Sequence, residues 1–345
     1  MALPFALGAQ AQTTEAPDRV PHPHYYEVQH VYQPITFVHE GDYICLINRN
    51  QFTALDEYDY TYTILQNGDS IASGPLTLSG DRLAIPTLPK DAEHPDGKEM
   101  LVAPLEPYFW KPENDNQSKA NFAQRLAVWK DAADKRTVRS VTAKKGKNSV
   151  TITAEMSLPV GADYTLTYTI KGNGQVKVEA DYQPTATDIP LIPKFGMRMR
   201  LPANFTNVEY YGRGPWENYP DRKRSAFVGH YKMPLSEFET EYVKPQDNGN
   251  RCDVRWLELS NGQRTLRVDG CQPLCIRVWD YGEEDLEDVC HPNDITRGRF
   301  VNLNIDENIH GVGGADTWGK RTLPQYTLDG NLPRHYSFNI RIEKR

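Results

Sequence analysis

The densest chemistry in the chain lies near its C-terminus, where Leu303 to Trp318 reads LNIDENIHGVGGADTW. Alternation up to Ile309 reads as a strand, and the glycines at 311, 313 and 314 then force an irregular loop that carries Asp316 and Trp318. An indole on such a loop can lie against the C–H face of a pyranose, burying area without every hydroxyl being matched. His310 and Asp316 beside it can exchange hydrogen bonds with hydroxyls. The alternative makes Trp318 an ordinary core aromatic, since tryptophan is highly buried on average; the loop context favours sugar binding.

A second cluster, Tyr210 to Arg224 (YYGRGPWENYPDRKR), packs glycine, proline, aromatic and charged residues into a short space. It reads either as a rim binding sugar hydroxyls through Arg213, Glu217, Asn218 and Arg222, or as a loop corner locked by Glu–Arg pairing. The second reading is preferred, because paired side chains commonly end this way. In a third segment, Tyr242 to Trp256, Pro245 and Asn248-Gly249-Asn250 force turns before a strand that begins at Cys252.

Glycoside hydrolysis needs two carboxylates roughly 5–10 Å apart, one with a raised pKa. Glu217, Asp221, Asp306, Glu307 and Asp316 supply carboxylates, but their spacing singles out no acid and nucleophile. No Ser-His-Asp signature, HExxH or phosphate-binding glycine loop occurs. The five cysteines, at 45, 252, 271, 275 and 290, lack CxxC spacing, so buried free thiols are expected rather than a disulfide framework or a zinc site.

These segments need strands to hold them. Short runs of period two, including Tyr43–Asn48, Tyr58–Gln66, Ser149–Met156 and Asp163–Ile170, make the chain mostly β. Asn67-Gly68 and Gly172-Asn173-Gly174 are turn signals between them. One helix is expected within Gln117–Asp131, with Phe122, Leu126 and Trp129 on one stripe, and a helical turn at Glu283–Val289, whose acidic start suits a helix N-terminus. The Pro- and charge-rich stretch Ile85–Pro107 reads as a boundary, and strands without regularly intervening helices argue against a (β/α)8 barrel.

The 345 residues carry a net charge of -7, with acids and bases interspersed, so nothing points to nucleic acid. No apolar run approaches the ~18 residues that span a bilayer. Met1 to Gln12 ends in Ala-Gln-Ala like a signal-peptidase site but lacks a basic segment. It reads as a signal remnant or as a scar where a longer chain continued, and the compartment, cytoplasm or periplasm, stays open.

In these motifs the chain resembles the β-galactosidases of glycoside hydrolase family 2. Segments similar to FWKPENDN (Phe109–Asn116), YGRGPWENYPDRK, YVKPQDNGNR, LNID and GVGGADTW recur in that family in this order, and Pro17 to Ile35 resembles the exit from its catalytic barrel. The resemblance implies an all-β chain: residues 1–24 as remnant or linker, 25–101 as a partial immunoglobulin-like sandwich, and 102–345 as a galactose-mutarotase-like supersandwich. It implies that Trp318 stacks on the sugar, while the catalytic glutamates and Mg2+ ligands belong to the barrel, which has no counterpart here. A barrel-bearing chain, or self-association, is the implied partner, and a β-galactoside such as lactose the implied substrate. The stretch between Leu78 and FWKPENDN is shorter than in the family, which implies missing strands and an exposed edge. Two other readings stand beside this one: a free-standing carbohydrate-binding module, and an aldose epimerase with His310 or His291 as its acid.

Overall fold

A computed structural model describes residues 35–40, 43–48, 53–66, 69–84, 101–287, 289–316 and 318–344. They belong to two compact units, Met1–Glu99 and Met100–Arg345. The Met1 to Gln12 and Asn67-Gly68 segments, with most of the Pro-rich boundary stretch, lie outside the described residues.

In the first unit β1 (Ile35–Glu40), β2 (Tyr43–Asn48), β5 (Leu78–Ser79) and β6 (Arg82–Ala84) form one sheet in the order β1-β2-β6-β5, and β3 (Tyr60–Gln66) pairs with β4 (Asp69–Leu76) as a hairpin. Ile35, Ile44, Leu46, Tyr60 and Leu83 form its small core.

The second unit is a single large sheet folded on itself. Its strands are β7 (Ala103–Tyr108), β8 (Thr137–Lys145), β9 (Ser149–Leu158), β10 (Ala162–Lys171), β11 (Val176–Pro184), β12 (Lys194–Pro202), β13 (Asn207–Gly214), β14 (Phe227–Pro234), β15 (Arg251–Ser260), β16 (Arg264–Trp279), β17 (Phe300–Ile309) and β18 (Arg334–Lys344). The fold originates in β16, whose first half pairs with β18 and whose second half pairs with β17. Between the halves the backbone bends so tightly at Gly270 that a Cβ there would sit 2.3 Å from the Gln272 carbonyl, and Pro273 lacks a donor for a straight ladder. From that fork one leaf runs β18-β11-β10-β9-β8 and the other β17-β12-β7.

Alternation then builds the core. Tyr164, Tyr182 and Tyr336 point inward from the first leaf and surround Phe195 of β12 with ring centroids 5.7–6.1 Å apart, so the leaves close as a sandwich on an aromatic centre. Edge strand β8 is exposed along nearly its whole length and carries Arg139, Lys144 and Lys145, charges that blunt an edge.

The single helix expected over Gln117–Asp131 is instead α1 (Asp115–Lys119), α2 (Phe122–Leu126) and a 3-10 turn at Ala127–Trp129. Asn121, at φ 53°, breaks the run, a conformation that asparagine tolerates better than most residues. The apolar stripe survives the break: Phe122, Leu126 and Trp129 are all buried, and Trp129 packs on Phe109 and Tyr182. The expected turn at Glu283–Val289 is the shorter 3-10 segment Glu283–Leu286. No helix among the described residues is long and apolar enough to cross a membrane.

Candidate functional site

Beyond β17 the chain enters the glycine-rich loop, and its stem is fixed from three sides. His310 N donates to Pro193 O (2.9 Å) and Gly311 N to Tyr326 O (2.8 Å). The Gly311 carbonyl accepts from Gln117 Nε2 (2.9 Å) and Thr322 Oγ1 (3.1 Å), and the Val312 carbonyl from Asn114 Nδ2 (3.1 Å). Asp221 receives Val312 N on Oδ1 (3.0 Å) and Gly313 N on Oδ2 (2.8 Å). Its carboxylate comes so close that a Cβ on Gly311 would meet it at 2.6 Å, which explains the glycine there.

Past this stem, Asp316 Oδ1 accepts from Trp318 N (2.9 Å) and Lys320 N (3.0 Å). Those backbone donors hold the carboxyl below its ordinary range. Asp316 therefore shapes the loop, while Trp318 stands 91% exposed at its crest. His310 lies inside, 3% exposed, with its ring edge against Phe122 at 5.2 Å. Burial pulls its pKa down to about 4, so the ring is neutral at pH 7.

The second cluster forms a separate corner. Arg213 pairs with Asp253 and donates to the carbonyl of Ala226 (2.8 Å). Glu217 accepts from Arg222, the Tyr242 hydroxyl and Gly249 N (2.8 Å). Asn218 is buried, donates to the carbonyls of Arg213 and Trp216, and accepts from Cys252 N (2.8 Å). Arg213, Glu217, Asn218 and Arg222 thus spend their polar groups on the corner itself. That corner holds Asp221, the clamp on the loop stem, and so supports the first cluster.

Beneath both lies a layer that inspection of the motifs missed. On β12 the core residues Phe195, Met197, Met199 and Leu201 alternate with Lys194, Arg198 and Arg200, and on β17 Val301, Leu303 and Ile305 alternate with Asn302, Asn304 and Asp306. Apart from the half-buried Arg198 and Arg200, the polar faces of these strands are buried. Lys194 pairs with Asp306 at 3.0 Å; Glu283 accepts from Arg277, Arg198 (3.2 Å), Asn302 (3.0 Å) and Asn304 (2.9 Å). Arg277 also meets Asp247, which meets Lys111 at 3.2 Å. Lys111 in turn donates to Gln117 (2.8 Å), the residue that holds Gly311. The FWKPENDN, YVKPQDNGNR and LNID motifs converge on this one network. Charged residues alternating with apolar ones on two neighbouring strands were its signal.

Burial opposes both charges of the Lys194–Asp306 pair, lowering Lys194 to about 8 and raising Asp306 to about 6. Glu283 is held well below the usual carboxylate range by its guanidinium partners, despite full burial. It stands in the first turn of its 3-10 segment, as its acidic start suggested, and serves this network as well. Glu307 pairs with Arg334 at 2.9 Å, so each of the five carboxylates noted in the sequence has a cationic or N–H partner. His291 sits on an exposed turn, whereas His310 is buried.

Cys252 and Cys275 are buried free thiols 3.7 Å apart, as expected; Cys271 and Cys290 are free but exposed, contrary to expectation, and Cys45 is half-buried. Cys271 follows the bend at Gly270, where β16 leaves regular pairing, and Cys290 lies on a loop.

The family model for the β-galactosidase small chain matches residues 91–342. The β-galactosidase of Priestia megaterium (strain DSM 319 / IMG 1521) is 32% identical over 245 residues, 70% of this chain and 24% of that protein. That of Lactobacillus delbrueckii subsp. bulgaricus is 31% identical over 242 residues, 69% and 24% respectively. This chain therefore spans about a quarter of the length of the curated relatives it matches. Among solved structures, a galactose 1-epimerase from Lactobacillus acidophilus NCFM superposes with a TM-score of 0.40 at 10% identity, covering 90% of this chain and 98% of that one. With the matched region taking in the whole sandwich, its buried network and the loop, the chain belongs to the β-galactosidase small-chain family.

Proposed function

We propose that this chain completes the sugar site of a β-galactosidase whose catalytic carboxylates stand on a larger, barrel-bearing chain. The observation that carries this reading is Trp318, 91% exposed at the crest of a loop whose stem is fixed by Asn114, Gln117 and Asp221. Tryptophan is highly buried on average, and one held out in water on an anchored support is available to stack on a ligand outside its own fold. Against a pyranose the indole would bury C–H surface, while Asp316 keeps the loop shaped rather than transferring a proton.

The partner would supply the two carboxylates of retaining hydrolysis, roughly 5–5.5 Å apart. The acids here do not fit a divalent cation such as Mg2+, because Asp306, Glu283 and Asp247 already hold Lys194, Arg198, Arg277 and Lys111. Among the described residues no cluster of three metal-binding side chains occurs. In this reading the ion belongs to the larger chain.

The test is hydrolysis of a chromogenic β-galactoside by the purified chain, alone and mixed with a barrel-bearing large fragment. Activity only in the mixture is expected, and Trp318→Ala should raise KM in the mixture about tenfold, the loss of roughly 1–2 kcal/mol of stacking. Activity from the chain alone would overturn the reading. Saturable galactose binding without the partner would favour a free-standing binding module.

A further inference from the structure

A cavity of about 450 Å3 opens between the loop stem and the α1–α2 segment, lined by His310, Phe122, Leu191, Thr322, Arg125 and Arg321 among others. Its size is that of a small-ligand site. Two features of its lining are unspent by the fold.

The first is charge. Arg125 donates Nε to the Ala120 carbonyl (3.0 Å), and burial, with Arg321 as the lesser cause, lowers its pKa. Among the described residues neither guanidinium pairs with a carboxylate. Lys320, also on the rim, is balanced by Asp316. Both guanidiniums line the cavity, so their remaining N–H groups are available to an anion placed there.

The second is His310. Its Nδ1 is 2.9 Å from the Gly311 carbonyl, an acceptor only, so Nδ1 carries the proton and Nε2 is left as an acceptor. No described residue donates to Nε2, although the side chain is 3% exposed and lines the cavity. An acceptor facing the cavity can take a hydrogen bond from a ligand hydroxyl. The apolar wall of Phe122, Leu191 and Val312 suits the carbon frame that would connect hydroxyl to anion.

We infer that this cavity is a second binding site, for a small hydroxylated anion of the sugar phosphate or sugar acid class, with its anionic group between Arg125 and Arg321 and a hydroxyl on His310. It is separate from the exposed face of Trp318.

Titration calorimetry on the purified chain at low salt, with glucose 6-phosphate, gluconate, inorganic phosphate and galactose as probes, tests this. Saturable binding of glucose 6-phosphate or gluconate is expected, with inorganic phosphate at least tenfold weaker and galactose without measurable heat. Whichever of the two binds identifies the anionic group as phosphate or carboxylate. Arg321→Gln, on the exposed rim, should weaken the bound probe about tenfold, as should Arg125→Gln. Trp318→Ala should leave it within twofold, so that failure here and failure of the sugar-stacking role stay distinguishable. No binding of either organic anion, galactose binding equally well, or an unchanged affinity in Arg321→Gln would each overturn the assignment.

Discussion

At the scale of the residue, His310 shows how position settles what a side chain does. The sequence offers it as an epimerase acid as well as a hydrogen-bonding partner for sugar; its ring is buried against Phe122 and kept neutral, with a pKa near 4 against an ordinary 6.5, which leaves it an acceptor rather than an acid at pH 7. The unfolded chain takes up the proton first as pH falls, so this group's stabilising contribution is complete above about 6.5 and is lost progressively towards 4. Between pH 7 and pH 5 the loss is about 2 kcal/mol. Denaturant unfolding at the two pH values should therefore show His310→Gln losing about 2 kcal/mol less than the parent; equal losses would mean the ring is not desolvated. Residue types were legible in the sequence here, and partners were not. Glu217 and Arg222 were visible as a pairing that locks a corner, whereas Asp221 as the receiver of two backbone N–H groups depends on a loop ninety residues away.

At the scale of the element, the 310–320 loop is held by its stem rather than by its crest. Asp221→Asn keeps the size but turns one acceptor oxygen into a donor facing an N–H, so one of the two clamps is lost and a buried donor is left unpaired, at about 1–3 kcal/mol. Amide exchange at Val312 and Gly313 should accelerate roughly tenfold or more while exchange in the β10–β11 pair stays unchanged, and in the proposed two-chain assembly KM should rise. Unaltered exchange at both amides would remove Asp221 from the stem. The α1–α2 segment makes a related point. Its apolar stripe could be read from spacing, but the break at Asn121 could not, because asparagine is not a strong breaker by type and periodicity runs through it. Asn121→Gly should be neutral to slightly stabilising and Asn121→Ala destabilising by about 1 kcal/mol, since φ 53° penalises a Cβ that cannot hydrogen-bond locally. Equal thermal midpoints for both variants would refute the left-handed conformation.

At the scale of the whole molecule, the second leaf is apolar on its core face and ionic on its other, and yet both faces are buried. Alternation up to Ile309 marked β17 as a strand, but neither the pattern on β12 nor the loops carrying Lys111, Asp247 and Glu283 from distant segments, which cover the polar face, were read from the sequence. Such a layer is weak evidence of stability, since desolvation of both partners can cancel their attraction. It nevertheless makes each member indispensable to the others. The Lys194–Asp306 pair separates the two effects, because both side chains are buried and Lys194 has its remaining bond to Asn304. Lys194→Met leaves the Asp306 carboxylate buried without its cation and should cost about 3–5 kcal/mol, worsening as pH rises because the stranded acid can no longer stay protonated. Adding Asp306→Leu removes that charge, so the double variant should recover most of the loss and lose the pH dependence with it. Chemical unfolding of the two singles and the double at pH 5 and pH 8 forms the cycle. A double variant as unstable as the sum of the singles would show that the two charges are not coupled, and that Lys194 and Asp306 hold the network through their other partners rather than through each other.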